Sequence, residues 1–217
     1  MSVIDKPPLN RAERRKRETY DRLKNATMML LAEVGYQKLT IKAITDTADL
    51  GYGTFYLHFT DKDDIVWHIM KTNIDGLTEQ FNERVKDIPF PKREYISWLF
   101  IYHNLENTRP LFLELFGRNG SVNISRNYQD YLADTHAHFM QNAFYKYSEG
   151  GESHPPYNVL SQWAAGALFR LMVWWVETPN DYTAQDMANM TYHMFYRTMP
   201  PEELQQVDSS LFADLIG

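Results

Sequence analysis

The chain has 217 residues, with 22 Lys and Arg against 28 Asp and Glu, for a formal net charge of −6. That balance argues against non-specific nucleic-acid binding by the whole surface. The absence of cysteine excludes thiolate catalysis, disulfides and cysteine-based zinc sites, and it fits a reducing compartment. At 44% apolar and 14% aromatic residues the chain can fill a core, either as one large domain or as a small domain joined to a larger one.

The charge is unevenly placed: residues 1–62 carry a net +3 and residues 63–217 a net −9. Arg11, Arg14, Arg15, Lys16 and Arg17 form the densest basic cluster. They read as an N-terminal arm able to follow phosphates or enter a minor groove. Met1–Pro8 holds no apolar run of signal-peptide length, so a cytoplasmic location is expected.

Tyr20, Leu23, Ala26, Leu30, Leu31 and Val34 then repeat at helical spacing up to Gly35, a residue suited to ending a helix. Thr40 is placed to cap a short helix whose apolar face is Ile41, Ile44 and Ala48. Gly51 and Gly53 flank Tyr52 and are expected to let the chain bend sharply. Phe55 and Phe59 can anchor a second short helix, which leaves Tyr52, Thr54, Tyr56 and His58 with no core to enter. Two short helices, a tight turn and an outward polar–aromatic face make a helix-turn-helix pattern, whose second helix enters the major groove.

Thr60-Asp61-Lys62-Asp63-Asp64 opens a fourth helix running to about Val85, with Pro89 and Pro91 beyond it. Arg93–Glu106 places Trp98, Ile101, Tyr102 and Leu105 at helical spacing. Arg109–Phe116 reads as a short helix, and Ser125–Tyr147 as a long one carrying Tyr128, Leu132, Phe139 and Ala143. A loop at 148–156 precedes Tyr157–Glu177, which is apolar almost all round and must be covered on every side. Thr183-Ala184-Gln185-Asp186 is a capping box. It opens a helix with Met187, Met190 and Met194 on one face and Ala188, Tyr192, Phe195 and Met199 on another. No strand-like alternation persists. The most apolar stretch, 163–176, is 14 residues long and contains Arg170, too short and interrupted for a bilayer, so no membrane association is expected.

No nucleophile elbow, P-loop or His-Glu-x-x-His motif occurs. His136 and His138 point apart on a helix, and His68 on the fourth helix reads as a structural or surface residue. His103 and Glu106 are spaced as a helix-surface pair. No enzymatic activity, metal or cofactor is expected.

The run Ala32-Glu33-Val34-Gly35-Tyr36, then Thr40-Ile41 and Ile44, then Gly53-Thr54-Phe55-Tyr56-Leu57-His58-Phe59 and Lys62-Asp63-Asp64-Ile65 resembles the DNA-binding domain of TetR-type transcriptional regulators (the TetR/AcrR family), over residues 15–66. The resemblance implies an all-α fold of about nine to ten helices. A basic arm and helix-turn-helix domain at 1–62 would precede a helical effector-binding and dimerisation domain at 63–217. It implies a ligand-responsive repressor, released from a near-palindromic double-stranded operator by a small apolar or aromatic effector. Operator contacts would come from Arg14, Arg15, Arg17, Thr40, Lys42, Gly51, Tyr52, Gly53, Thr54, Tyr56, His58 and Lys62. The effector would meet Trp67, Trp98, Tyr102, His103, Phe112, Phe116, Tyr128, Phe139, Trp163, Phe169 and Met172, oriented by polar groups such as His103, Glu106 or Arg170. Helices 157–177 and 184–197 are similar to the family's homodimer bundle.

One departure stands out. The turn, commonly Ala-Gly-Val-Ser, reads Ala48-Asp49-Leu50-Gly51 here. The serine is missing and a negative charge is added near the DNA. These features favour the alternative, a helical adaptor with a degenerate helix-turn-helix.

Overall fold

The structure, a computed structural model, describes residues 10–89, 92–147 and 156–195, with the backbone alone over 136–147. Among these residues all regular structure is helical, in nine elements. They are α1 (Arg11–Lys38), α2 (Ile41–Thr47), α3 (Tyr52–Phe55), α4 (Lys62–Val85), α5 (Lys92–Asn107), α6 (Arg109–Phe116), α7 (Val122–Tyr147), α8 (Tyr157–Glu177) and α9 (Ala184–Phe195). The chain divides into two compact units, Met1–Lys71 and Thr72–Gly217, and α4 passes from the first into the second. Residues 148–155 of the expected 148–156 loop, Met199 and the end of the 184–197 segment lie outside the described residues.

Helix α1 begins earlier than the apolar periodicity suggested. Asn10 and Glu13 form a capping box: the Glu13 N–H donates to Asn10 Oδ1 at 2.9 Å, and the Asn10 N–H to Glu13 Oε2 at 2.8 Å. The expected basic arm is therefore corrected: Arg11, Arg14, Arg15 and Arg17 are the exposed first two turns of α1. Leu23, Ala26 and Thr27 face inward, and the Thr27 hydroxyl is satisfied by donating to the Leu23 carbonyl at 2.8 Å. Gly35 breaks the helix at φ 77°, a conformation that only glycine adopts readily. Tyr36 turns inward, and its hydroxyl donates to the Asp63 carboxylate at the start of α4. Leu23, Ile44, Phe55 and Ile65 are fully buried and form the heart of this unit.

In the second unit α7 packs along α8, α5 along α9, and α6 against both α7 and α8. Polar contacts fix the registers. The hydroxyls of Tyr102 and Thr191 lie 2.6 Å apart between α5 and α9, and Gln185 donates to the Tyr95 hydroxyl at 3.2 Å. Arg109 donates to the Val176 carbonyl at 2.7 Å, satisfying the end of α8. Thr183 and Asp186 form the expected capping box, with the Asp186 N–H donating to Thr183 Oγ1 at 3.1 Å.

Helix α8 turns Ala164, Ala165, Leu168, Met172, Val176 and Trp175 into the unit. Its other side stays open: Val159 is 54% and Trp163 62% exposed, with Ala167 and Arg170 beside them. At 21 residues with mean hydropathy 1.2, α8 is by length and composition able to cross a membrane. Its packed face and Arg170 mark it instead as a core helix with one uncovered stripe.

Candidate nucleic-acid interface

Thr40 caps α2 as its position predicts, accepting from the Ala43 N–H at 3.1 Å. The end of α2 differs from expectation. The Asp49 N–H donates to the Asp46 carbonyl at 3.1 Å and the Leu50 N–H to the Thr45 carbonyl at 2.9 Å, the paired bonds of a Schellman turn. The left-handed position this turn requires is Asp49, at φ 50°. Gly51 is ordinary extended backbone at φ −66°, ψ 142°. The sharp bend assigned to Gly51 and Gly53 is thus made by Asp49, a residue whose short polar side chain tolerates that region.

Helix α3 is only four residues long, and its winding continues as a turn. The His58 and Phe59 N–H groups both donate to the Phe55 carbonyl at 3.0 Å. Phe55 (0% exposed) and Phe59 (5%) are the anchors the sequence pattern called for. With those rings inside, Tyr52 and Tyr56 stand outside, about half exposed, their hydroxyls 3.1 Å apart and their rings edge-on at 5.6 Å. Gly51 and Gly53 are exposed beside them, and Thr54 is half-buried. Leu57, which pattern reading passed over, is 75% exposed next to Tyr56. Its signal was its place between two inward phenylalanines, off their stripe.

The hydrogen bond to Tyr52 raises the Tyr56 phenol above its ordinary pKa, so Tyr56 meets a partner as a neutral donor. Desolvation, and then the Lys16 cation, lower the His58 imidazole, so at neutral pH it offers a hydrogen bond and not a charge. Lys42 pairs with Asp46 at 2.7 Å on the exposed face of α2. Lys62 is more committed. Its ammonium donates to the carbonyls of Tyr36 (3.3 Å) and Leu39 (3.5 Å) and sits 4.3 Å from the centre of the Tyr36 ring.

The second unit gathers part of the expected effector set. Phe112, Phe116, Tyr128 and Phe169 form one aromatic cluster, with ring centroids 4.6 Å apart for Phe112–Phe116, 5.0 Å for Phe116–Tyr128 and 5.6 Å for Phe116–Phe169. Burial raises the Tyr128 phenol far above its ordinary value, and Tyr131 and Tyr102 push in the same direction. Burial likewise pushes Tyr102 up to about 12 despite its bond to Thr191. Met172 is buried on α8, and Trp98 is buried against Phe195 with centroids 5.5 Å apart. Trp163 stands apart from that cluster: it is mostly exposed on α8, its ring 6.2 Å from that of Phe195. Trp67 belongs to the first unit, and the Phe139 side chain lies outside the described residues. His103 and Glu106 are the expected surface pair, at 3.8 Å, and Arg170 is exposed. An open groove of about 920 Å³ lies elsewhere, between Asp75, Thr78, Glu79, Asn82, Glu83 and Arg84 of α4 and Tyr131 of α7.

Known proteins show the same organisation. Residues 23–69 match the family described as bacterial regulatory proteins, tetR family. The Fatty acid metabolism regulator protein of Bacillus subtilis (strain 168) is 30% identical over 74 residues, which are 34% of this chain and 38% of that protein. The chain therefore aligns with well under half the length of that relative. The fold is similar to that of the FadR repressor of Thermus thermophilus in complex with lauroyl-CoA (TM-score 0.68, 16% identity, 83% of this chain and 95% of that one). It is also similar to RolR in complex with resorcinol (TM-score 0.64, 15% identity, 89% and 94%) and to FadR of Bacillus subtilis in complex with stearoyl-CoA (TM-score 0.52, 19% identity, 83% and 100%). The helix-turn-helix unit built on Phe55 and Phe59 thus lies inside the stretch that matches the tetR family of bacterial regulatory proteins, and the whole chain is similar in fold to solved structures of that type.

Proposed function

We propose that the chain is a homodimeric transcriptional repressor of TetR type that reads a near-palindromic operator and leaves it when a small apolar molecule binds the second unit. The observation that carries the reading is the division of labour around α3. Phe55 and Phe59 are buried while Tyr52, Tyr56 and Leu57 are presented outward on one short element. Such a surface meets phosphates through the phenols and a thymine methyl through leucine. Of the two features that favour a degenerate adaptor, Asp49 and the absent serine, Asp49 has a structural role as the turn's left-handed residue, and the adaptor is disfavoured.

Two half-sites in successive major grooves require recognition elements about 34–36 Å apart, which a two-fold dimer supplies. The open α8 stripe of Val159, Trp163 and Ala167 is the surface such a dimer would bury. The effector belongs beside the Phe112–Phe116–Tyr128–Phe169 cluster. Lauroyl-CoA, stearoyl-CoA and resorcinol, each bound by a protein of this fold, define the two ligand classes to try: acyl thioesters and small phenols. Coupling is assigned to α4, continuous from Lys62 to Val85. A ligand shifts the equilibrium only through differential affinity for the two states, typically about 1–3 kcal/mol.

The test is selection of a duplex from a random pool, followed by titration of variants. Tyr56→Ala should weaken the selected duplex about tenfold with the melting temperature unchanged, because the side chain is exposed. Lys62→Ala should lower the salt slope by about one and also destabilise the first unit, since its ammonium caps α1. Wild-type affinity in both variants refutes the assignment.

A further inference from the structure

We propose that Arg22 of α1 is a positioning residue for the DNA-reading element, acting as a latch on the turn between α2 and α3; the inference rests on the operator-binding reading above. The Schellman bonds satisfy the carbonyls of Thr45 and Asp46 and use neither that of Ala48 nor that of Asp49. One nitrogen of the Arg22 guanidinium reaches both, at 2.5 Å to the Ala48 carbonyl and 2.7 Å to the Asp49 carbonyl, and also meets Asp49 Oδ2 at 3.2 Å. Two successive carbonyls on either side of the left-handed residue are thereby tied to a helix 26 positions earlier in the chain. The direction in which Leu50 and Gly51 leave the turn sets where Tyr52, Tyr56 and Leu57 point. Fixing these two carbonyls therefore fixes the reading surface.

The three contacts are unequal. The ion pair is between a side chain about half exposed and one fully exposed, so solvent screens it. The carbonyl contacts are charge-assisted, fall on a helix C-terminus where a cation is favoured, and restrain backbone. The carboxylate of Asp49 is thus secondary. All three contacts come from one terminal guanidinium nitrogen, which stands one bond farther from the backbone than a lysine ammonium, so a lysine at this place on α1 stops short of both carbonyls.

The experiment measures the affinity of the full-length chain for a duplex selected from a random pool by the wild type, and for a scrambled duplex, over a range of salt concentrations. Arg22→Ala and Arg22→Lys should each lose about tenfold or more on the selected duplex, keep their affinity for the scrambled one, and keep the wild-type salt slope. Asp49→Asn should stay within about twofold of wild type. Circular dichroism at the binding temperature identifies an unfolded Arg22→Ala, and Arg22→Lys then carries the measurement. A slope lower by about one, with both duplexes weakened, would make Arg22 a phosphate contact and overturn the latch. Full affinity in Arg22→Ala, with only a lower melting temperature, would reduce Arg22 to a structural residue and overturn it equally. If Arg22→Lys binds as wild type, charge and not geometry is what matters, and the latch is wrong. A wild type that selects no sequence refutes the regulator reading itself, and this inference with it.

Discussion

Replacing Ala167 by Asp should convert the proposed dimer to a monomer at micromolar concentration and lower affinity for a selected operator duplex by about 100-fold or more. Ala167 sits on the open stripe of α8, next to Gly166 and one turn from Trp163. In the protomer the new carboxylate faces water and has Arg170 three residues on, so folding is unaffected and the circular dichroism spectrum stays wild type. In a dimer built on this stripe the two-fold axis brings in two carboxylates, each losing solvent where small residues had allowed close approach. Burying an ionised carboxylate without a dedicated partner costs several kcal/mol, and symmetry doubles it. A monomer engages one half-site and loses the contribution of the other. Trp163→Ala should act in the same direction more mildly, because an exposed tryptophan at an interface centre is commonly worth about 2 kcal/mol or more. Sedimentation velocity checks both. A wild type that sediments as a monomer, or an Ala167→Asp protein that remains dimeric and operator-bound, would place the dimer surface elsewhere.

The helices were legible wherever an apolar period coincided with a capping signal. Thr40, the Thr183–Asp186 box and Gly35 ended or began elements where their chemistry said they should. The start of α1 was missed because Asn10 and Glu13 cap a stretch with no apolar period, and charge density there suggested an arm. The turn residue was mistaken because glycine is the usual occupant of a left-handed position, and two glycines stood nearby. Asp49 wins because the Schellman bonds from Asp49 and Leu50 place the position there. The aromatic candidates were beyond sequence for a different reason. Helical spacing tells which residues share a face, not which face meets which. Phe112, Phe116, Tyr128 and Phe169 lie on three helices and converge, whereas Trp163, on the same helix as Phe169, faces out. Arg22 carried no signal, since its partners are backbone carbonyls, which every residue has.

The second large effect is expected at Phe55. Its ring is fully buried, packed at 5.7 Å from Phe59 and 5.5 Å from Tyr56 between ring centres. Truncation to alanine removes the anchor of a helix only four residues long, which has no propensity of its own to stay folded. Phe→Ala in a core typically costs about 3–5 kcal/mol, a large share of what a unit of this size has in total. Phe55→Ala should therefore unfold or loosen the first unit and abolish binding to any selected duplex. The second unit has its own core around Tyr95, Tyr102, Leu168 and Tyr192 and should keep its helices, and with them the proposed dimer surface. The contrast with Tyr56→Ala is the informative part. One position away, the exposed ring should be lost with operator affinity falling and melting unchanged. Two thermal transitions in Phe55→Ala, the first shifted downward by 10 °C or more and the second unmoved, is the expected record, since about 1 kcal/mol shifts a domain of this size by roughly 4–8 °C. A single transition displaced as a whole would mean that the units unfold as one. Duplex binding retained at wild-type strength would mean that Phe55 does not hold the reading surface in place.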